Sequence, residues 1–244
     1  MTARMIPDRP PAEPQSERQV YLALQNLPDG WVVIHSVPWL APRRNSQHDG
    51  EADFVLLHPD VGLIVLEAKG GGISMSGKRW YSVDRNGDRH RVDDPIAQAR
   101  DSKHALLDYL RDRDAFAGFL PMGHGVAFPD MAEVPNLGPE APPEILLSHT
   151  DLADPAAAVA GIVDEFDLHP ERRIDLDPIV EALAPTVEVR HVLADDLAAV
   201  RARLLTLTEE QVGVLQGLRR NRRALIFGGA GTGKTVLALS LIHI

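Results

Sequence analysis

Residues 50–71 read GEADFVLLHPDVGLIVLEAKGG. Two apolar runs, EADFVLLH and LIVLEAK, flank PDVG, a turn composition, and predict two strands joined by a tight turn. Asp53 falls at the start of the first strand. Glu67 and Lys69 end the second, two residues apart and so on one face of it. The turn brings Asp53 beside Glu67. Two carboxylates at one end of a two-strand ribbon can hold a divalent cation through oxygen. A lysine beside them can support charge on an attacking hydroxide or a phosphate oxygen. That set suits phosphodiester hydrolysis, with Mg²⁺ or Mn²⁺ as the expected ion. An acid two residues before a lysine is common at solvated strand ends. Here the pair sits in strands that are apolar on both faces, as central sheet strands are. Glu17, on a predicted first helix, could add a carboxylate. Gln98, on the helix after the sheet, could contact metal-bound water or phosphate.

A second constellation lies near the C-terminus. GGAGTGKT fits G-x-x-x-x-G-K-[ST] with Gly228, Gly233, Lys234 and Thr235. It follows the apolar strand ALIF and opens the helix KTVLALSL, the setting the motif needs. Backbone N–H groups of Gly228, Gly229, Ala230, Gly231, Thr232 and Gly233 would turn around phosphates at a helix N-terminus. Lys234 would reach the β- and γ-phosphates of ATP, and Thr235 would ligate Mg²⁺. Gln211, in LTEEQVGVL, lies 17 residues before Gly228. Its amide donates and accepts at once, as adenine's edge requires.

These residues need a scaffold. Residues 1–13 are Pro-rich and expected to be disordered. PQSERQVYLALQNLP predicts a helix capped by Ser16, with Val20, Ala23, Leu24 and Leu27 at helical spacing. WVVIHSVPWL predicts a strand and APRRNSQHDG a polar, basic loop. Arg43, Arg44, Asn45, Gln47 and His48 there could touch a DNA backbone, but a solvated loop is the favoured reading. RWYSVDRNGDRHRV predicts a hairpin about Asn86-Gly87. DPIAQARDSKHALLDYLRD predicts a helix capped by Asp94 with Pro95 at its first position. HGVAFP and EILLS predict further strands. Beyond about residue 150, DPAAAVAGIVDEF, LDPIVEALA, DDLAAVRARLLTL and LTEEQVGVLQGLRR predict helices. His35, His58 and His90 have no partner at metal-ligand spacing, and Trp80 and Tyr81 read as packing residues. No internal repeat is present.

The run from the first helix to DPIAQA resembles the nuclease-related domain, NERD, a branch of the PD-(D/E)xK nuclease fold. The resemblance rests on Glu17, DGEADF with Asp53, GLIVLEAKGG with Glu67 and Lys69, Trp80, and DPIAQA with Gln98. It implies Asp53 and Glu67 as metal ligands, Lys69 as the catalytic lysine, and Glu17 and Gln98 as supporting polar residues. The Pro59-Asp60 pair sits in the turn and is assigned no role. The segment around Gln211 resembles the Q motif of superfamily 1, UvrD/Rep-like helicases, which are found behind NERD domains. The expected organisation is a disordered N-terminus at 1–13, a nuclease-like domain at 14–130, a strand and helical connector at 131–205, and the start of a helicase ATP-binding domain at 206–244.

The chain has 244 residues, 44% hydrophobic and 25% charged, enough for a buried core. Its net charge of −10 argues against a protein that coats nucleic acid electrostatically, but a carboxylate cluster acting locally is itself acidic. Zero cysteines exclude disulfides and thiolate metal sites. No apolar run spans a bilayer and the N-terminus lacks a signal-peptide stretch, so a cytoplasmic protein without membrane partners is expected.

Only nine residues follow Thr235, too few for the second acidic motif and arginine finger of a motor. Residues 239–244, LSLIHI, are the in-frame translation of CTGTCTCTTATACACATC, the start of a transposase sequencing adapter. The expectation is that the genuine frame ends near Ala238 and that the intact protein is a longer ATP-dependent nuclease–helicase. Neither tight ATP binding nor hydrolysis is expected of the chain as it stands. The sequence therefore predicts an α/β fold: a restriction-endonuclease-like mixed sheet flanked by helices, a helical connector, and an incomplete P-loop NTPase core. The expected partner is DNA, with RNA open. The alternatives are a module that binds DNA or a protein without cutting, and a P-loop ATPase of another type.

Overall fold

The computed structural model describes residues 2–43, 46–76, 79–83 and 88–185. Gln211 and the phosphate loop from Gly228 to Thr235 lie outside the described residues, as do the helices and strand expected beyond 186.

The chain builds a six-stranded mixed sheet in the order β1 (Arg4–Ile6), β2 (Val32–Arg43), β3 (Ser46–His58), β4 (Gly62–Ala68), β8 (Met122–Phe128) and β9 (Leu146–Ser148). β2, β3 and β4 run antiparallel, while β1 pairs with β2, β8 with β4 and β9 with β8 in parallel. A separate three-stranded antiparallel sheet, β5 (Gly72–Ser76), β6 (Arg79–Val83) and β7 (Arg89–Val92), leaves from the end of β4. Helices α1 (Gln15–Leu24) and α3 (Pro155–Glu165) put Val20, Tyr21, Leu24, Val159 and Ile162 against one face of the large sheet. Helices α2 (Pro95–Asp112) and α4 (Asp177–Leu183) put Leu106, Leu110, Ile179, Val180 and Leu183 against the other.

β4 is the axis of this arrangement. All seven of its residues are buried, because it is covered on both faces and paired on both edges. Leu63, Ile64, Val65 and Leu66 are fully buried, each stabilising the fold by roughly 1.5–3 kcal/mol. That apolar block offsets the cost of burying Glu67 at the strand's end.

Four expectations change. Arg4–Ile6, expected to be disordered, forms an edge strand. The N–H groups of Ala3 and Arg4 donate to Leu27 and Trp31, and the Tyr21 hydroxyl donates to the Pro7 carbonyl at 2.6 Å. Ser16 does not cap α1: the N-cap is Pro14, with no side-chain cap. The basic loop at 41–50 is instead a continuation of β2 and β3, paired as far as Arg43 and Ser46. The stretch from 131, expected as a connector, supplies β9, α3 and α4 to the same layers, and the compact unit extends to Thr186. The cap of α2 stands as expected, with the Asp94 carboxylate accepting from the N–H groups of Ile96 and Ala97.

Candidate active site

Asp53 owes its position to a slip shared by two strands. Along a regular strand, residues an odd number apart face opposite sides. Yet Ile34 and Val37 of β2 pack in the same core, as do Ala52 and Val55 of β3, while Val33 and Phe54 pack in the other. The register is constant across this break, from His35↔Phe54 to Val37↔Ala52. Both strands therefore reverse their alternation together, at Ser36 and Asp53. Ser36 takes a positive φ of 62°, which costs a non-glycine residue on the order of 1 kcal/mol.

On its other side Asp53 faces the end of β4. The β3–β4 ladder closes with Phe54↔Leu66. Past that pair the Asp53 carboxylate takes the place of a backbone acceptor, receiving the Ala68 N–H at 2.8 Å. Glu67 comes next on β4 and is 4% exposed. Its Oε1 accepts from the Lys69 ammonium at 2.8 Å, while its Oε2 is buried with no hydrogen-bond partner. Lys69 is fixed through its own backbone N–H, which donates to Ala127 on β8 at 2.9 Å. Gln98 lies in the first turns of α2, which packs on β4, and its Oε1 is also buried without a partner.

Glu17 enters from the first turn of α1, where the helix dipole favours a carboxylate. Its Oε2 lies 2.7 Å from His35 Nε2, both groups being largely buried. The His35 ring stacks at a tilt on Phe54 and meets the edge of Tyr21. The structure thus brings Asp53, Glu67, Lys69 and Glu17 into electrostatic contact. It adds His35, which the sequence alone does not single out because its partner lies 18 residues earlier on a different element. It also adds Asp130, for which the sequence carries no signal. Asp130 accepts from the Gly71 N–H at 2.7 Å and from the Gln19 amide at 3.2 Å, bracing the turn that follows Lys69. In that turn a Cβ on Gly70 would stand 3.0 Å from Ser16 Cβ, so any larger residue there would have to push α1 back by a few tenths of an ångström.

Burial pushes the Asp53 carboxyl up to about 7, with Glu67 adding to the rise; the Ala68 N–H and Lys69 oppose it. Glu67 is also raised, by burial first, against the pull of Lys69. Two carboxyls held this way favour a bound proton or a bound cation. Among the described residues no three His, Asp or Glu side chains gather as a metal-binding group. The donor chemistry nevertheless fits a hard divalent ion. Two carboxylates are oxygen donors, and one of their oxygens, the buried Glu67 Oε2, lacks any partner.

A carboxylate pair, an adjacent lysine and a mixed sheet layered by helices are compatible with a nuclease-like α/β domain. Residues 13–128 match the family model of NERD, the nuclease-related domain, so the chain carries a nuclease-related domain over that stretch. No curated protein and no solved structure matches the chain. No helix among the described residues is long and apolar enough to cross a membrane.

Proposed function

We propose that this domain hydrolyses phosphodiester bonds of DNA, with Asp53 and Glu67 holding Mg²⁺ or Mn²⁺ and Lys69 acting on the reacting phosphate. One observation carries the reading: Glu67 is buried beside a second carboxyl, clamped on one oxygen by Lys69 and unsatisfied on the other. Leaving such an atom unpaired costs on the order of 1–3 kcal/mol, a cost that ligand binding removes. The ion would supply charge neutralisation and a more acidic bound water. The chain's own residues supply the rest. Asp53 and Glu67 would hold the ion as carboxylates, so its binding would compete with protons at these two groups. Lys69 keeps its ammonium within one hydrogen bond of the carboxylates, where it supports charge on a phosphate oxygen. His35 holds Glu17, and Glu17 adds negative potential at both carboxyls.

The proposal extends, on sequence alone, to residues 206–244. Gln211, Lys234 and Thr235 would bind ATP and Mg²⁺ as parts of a helicase-like motor that would deliver DNA to the site.

The test is cleavage of supercoiled plasmid and single-stranded DNA by the whole chain in Mg²⁺, Mn²⁺ or EDTA, beside Asp53→Ala and Lys69→Ala. Metal-dependent cutting abolished by both substitutions supports the reading. Binding without cutting under every condition overturns it in favour of a binding module.

A further inference from the structure

The three-stranded sheet hangs between two residues of the candidate site. It begins three residues after Lys69, and Gln98 follows six residues after its last strand. One face is spent on packing: Trp80 is buried, with Ile73 and Val92 packed into the same cluster against Ile96 and Val126. The opposite face carries Ser74, Arg79, Tyr81, Arg89 and Arg91 by strand alternation. Their contacts and pairing agree. Arg89 lies over the Tyr81 ring at 4.8 Å and donates to Ser74 Oγ at 2.7 Å, and Arg91 is the register partner of Tyr81. Arg79, Arg89 and Arg91 are exposed. The three strands contain no Asp or Glu, in a chain whose net charge is −10.

We infer that this outer face is a track for the phosphate backbone of duplex DNA, guiding it onto the Asp53–Glu67 site. The inference rests on the proposed nuclease reading and adds the surface that holds the substrate. A guanidinium is suited to phosphate because its planar fork pairs two oxygens at once. Arg89 and Arg91 lie two residues apart on one strand, about 6.8 Å, comparable with the step between neighbouring phosphates on one DNA strand. Arg89 is preorganised by Ser74 and by the ring beneath it, so less side-chain freedom is lost on binding. Tyr81 already has one ring face covered by a guanidinium. It therefore serves as the platform for Arg89, and the track reads backbone in place of stacking on bases. Exposed charges on such a face steer a polyanion even when the whole protein is acidic.

The test measures binding of a labelled DNA duplex by the full chain in EDTA, by anisotropy across a salt series. Wild type is compared with Arg79→Ala/Arg89→Ala/Arg91→Ala, with Arg91→Ala alone, which removes an exposed side chain, and with Arg91→Lys. Removing one arginine–phosphate pair makes the slope of log K against log[salt] shallower by about 1. The slope should therefore fall by about 3 in the triple variant, by about 1 in Arg91→Ala, and hardly at all in Arg91→Lys. Unchanged slope and affinity in the triple variant overturn the inference. So does tighter binding of an RNA duplex, or tighter binding of single-stranded DNA that Tyr81→Ala abolishes. Cleavage in Mg²⁺ separates the two readings. If Asp53→Ala is inactive while the triple variant binds as wild type does, only the track fails. If duplex binding follows the arginines but wild type never cuts, the track stands and the nuclease reading fails.

Discussion

Among the described residues, burial shifts two pairs of ionisable side chains in opposite directions. At the end of β4 it raises the carboxyls of Asp53 and Glu67. Between α2 and β8 it lowers Lys103 and His124, the latter to about 4, and the charges of Arg100 and nearby bases add to the fall. The physical cause is shared, since a poorly solvated environment disfavours the charged form of either type. The difference lies in satisfaction. Lys103 Nζ reaches His124 Nδ1 at 3.3 Å and caps the Phe166 ring, and that ring also stacks on His124. The basic pair is closed on itself. The acidic pair leaves Glu67 Oε2 without a partner. A buried polar pair with an unsatisfied oxygen points to a ligand, and a pair that satisfies itself points to packing.

The sharpest way to break this contrast is substitution. Asp53→Ala, Glu67→Ala and Lys69→Ala are each expected to lower DNA cleavage by on the order of a thousandfold. Lys103→Met should leave the cleavage rate near wild type. A Lys103 variant as inactive as Asp53→Ala would erase the distinction. Metal binding is next in size. Mg²⁺ at about 100 times its dissociation constant should stabilise the fold by roughly 2.7 kcal/mol. Calorimetric melting should show that gain in wild type and not in Glu67→Ala.

The two pairs should also separate by pH in melting experiments without metal. The Asp53 carboxyl moves from an ordinary value of 3.8 to about 7 in the fold. The stability it contributes is full below its unfolded value and is lost as pH rises through about 7. Asp53→Asn should flatten that limb. His124 moves from 6.5 to about 4. Its contribution is full above its unfolded value and is lost as pH falls through about 4, so over much the same window His124→Gln should remove a slope of the opposite sign. The smallest effect concerns Glu17's partner. His35→Ala is expected to lower cleavage by about tenfold, and His35→Gln, which keeps a donor, to restore most of it.

The hairpin of β3 and β4 is legible in the sequence because its information is local: an apolar run, a turn and a charged end lie within 22 residues. Asp53, Glu67 and Lys69 follow from it directly. His35 is illegible because its role depends on α1 lying against β2, a contact no local pattern encodes. β5 escapes notice because GISMS is short and its alternation rests on Ile73 and Met75 alone; it is a strand by virtue of pairing with β6. The N-terminal strand looks disordered for a similar reason, since its hydrogen bonds go to residues 27 and 31. Trp80 shows itself as a packing residue in the sequence, but the arginines around it acquire a common direction only once the sheet forms.

The slip at Ser36 and Asp53 has a consequence for how this molecule could be rebuilt. Because the two strands change phase in step, the hairpin beyond them is a detachable cartridge. Its facing is set by the slip, while the chemistry is set on the near side of it. Residues could be added or removed beyond Val37 and Ala52 in matched pairs, lengthening or shortening the arm, with the carboxylates left where they are. Deleting Ser36 alone would leave Val37 on the side of Ile34 by ordinary alternation, but would shift its pairing with β3 by one residue and so set the two strands of the arm against each other out of step.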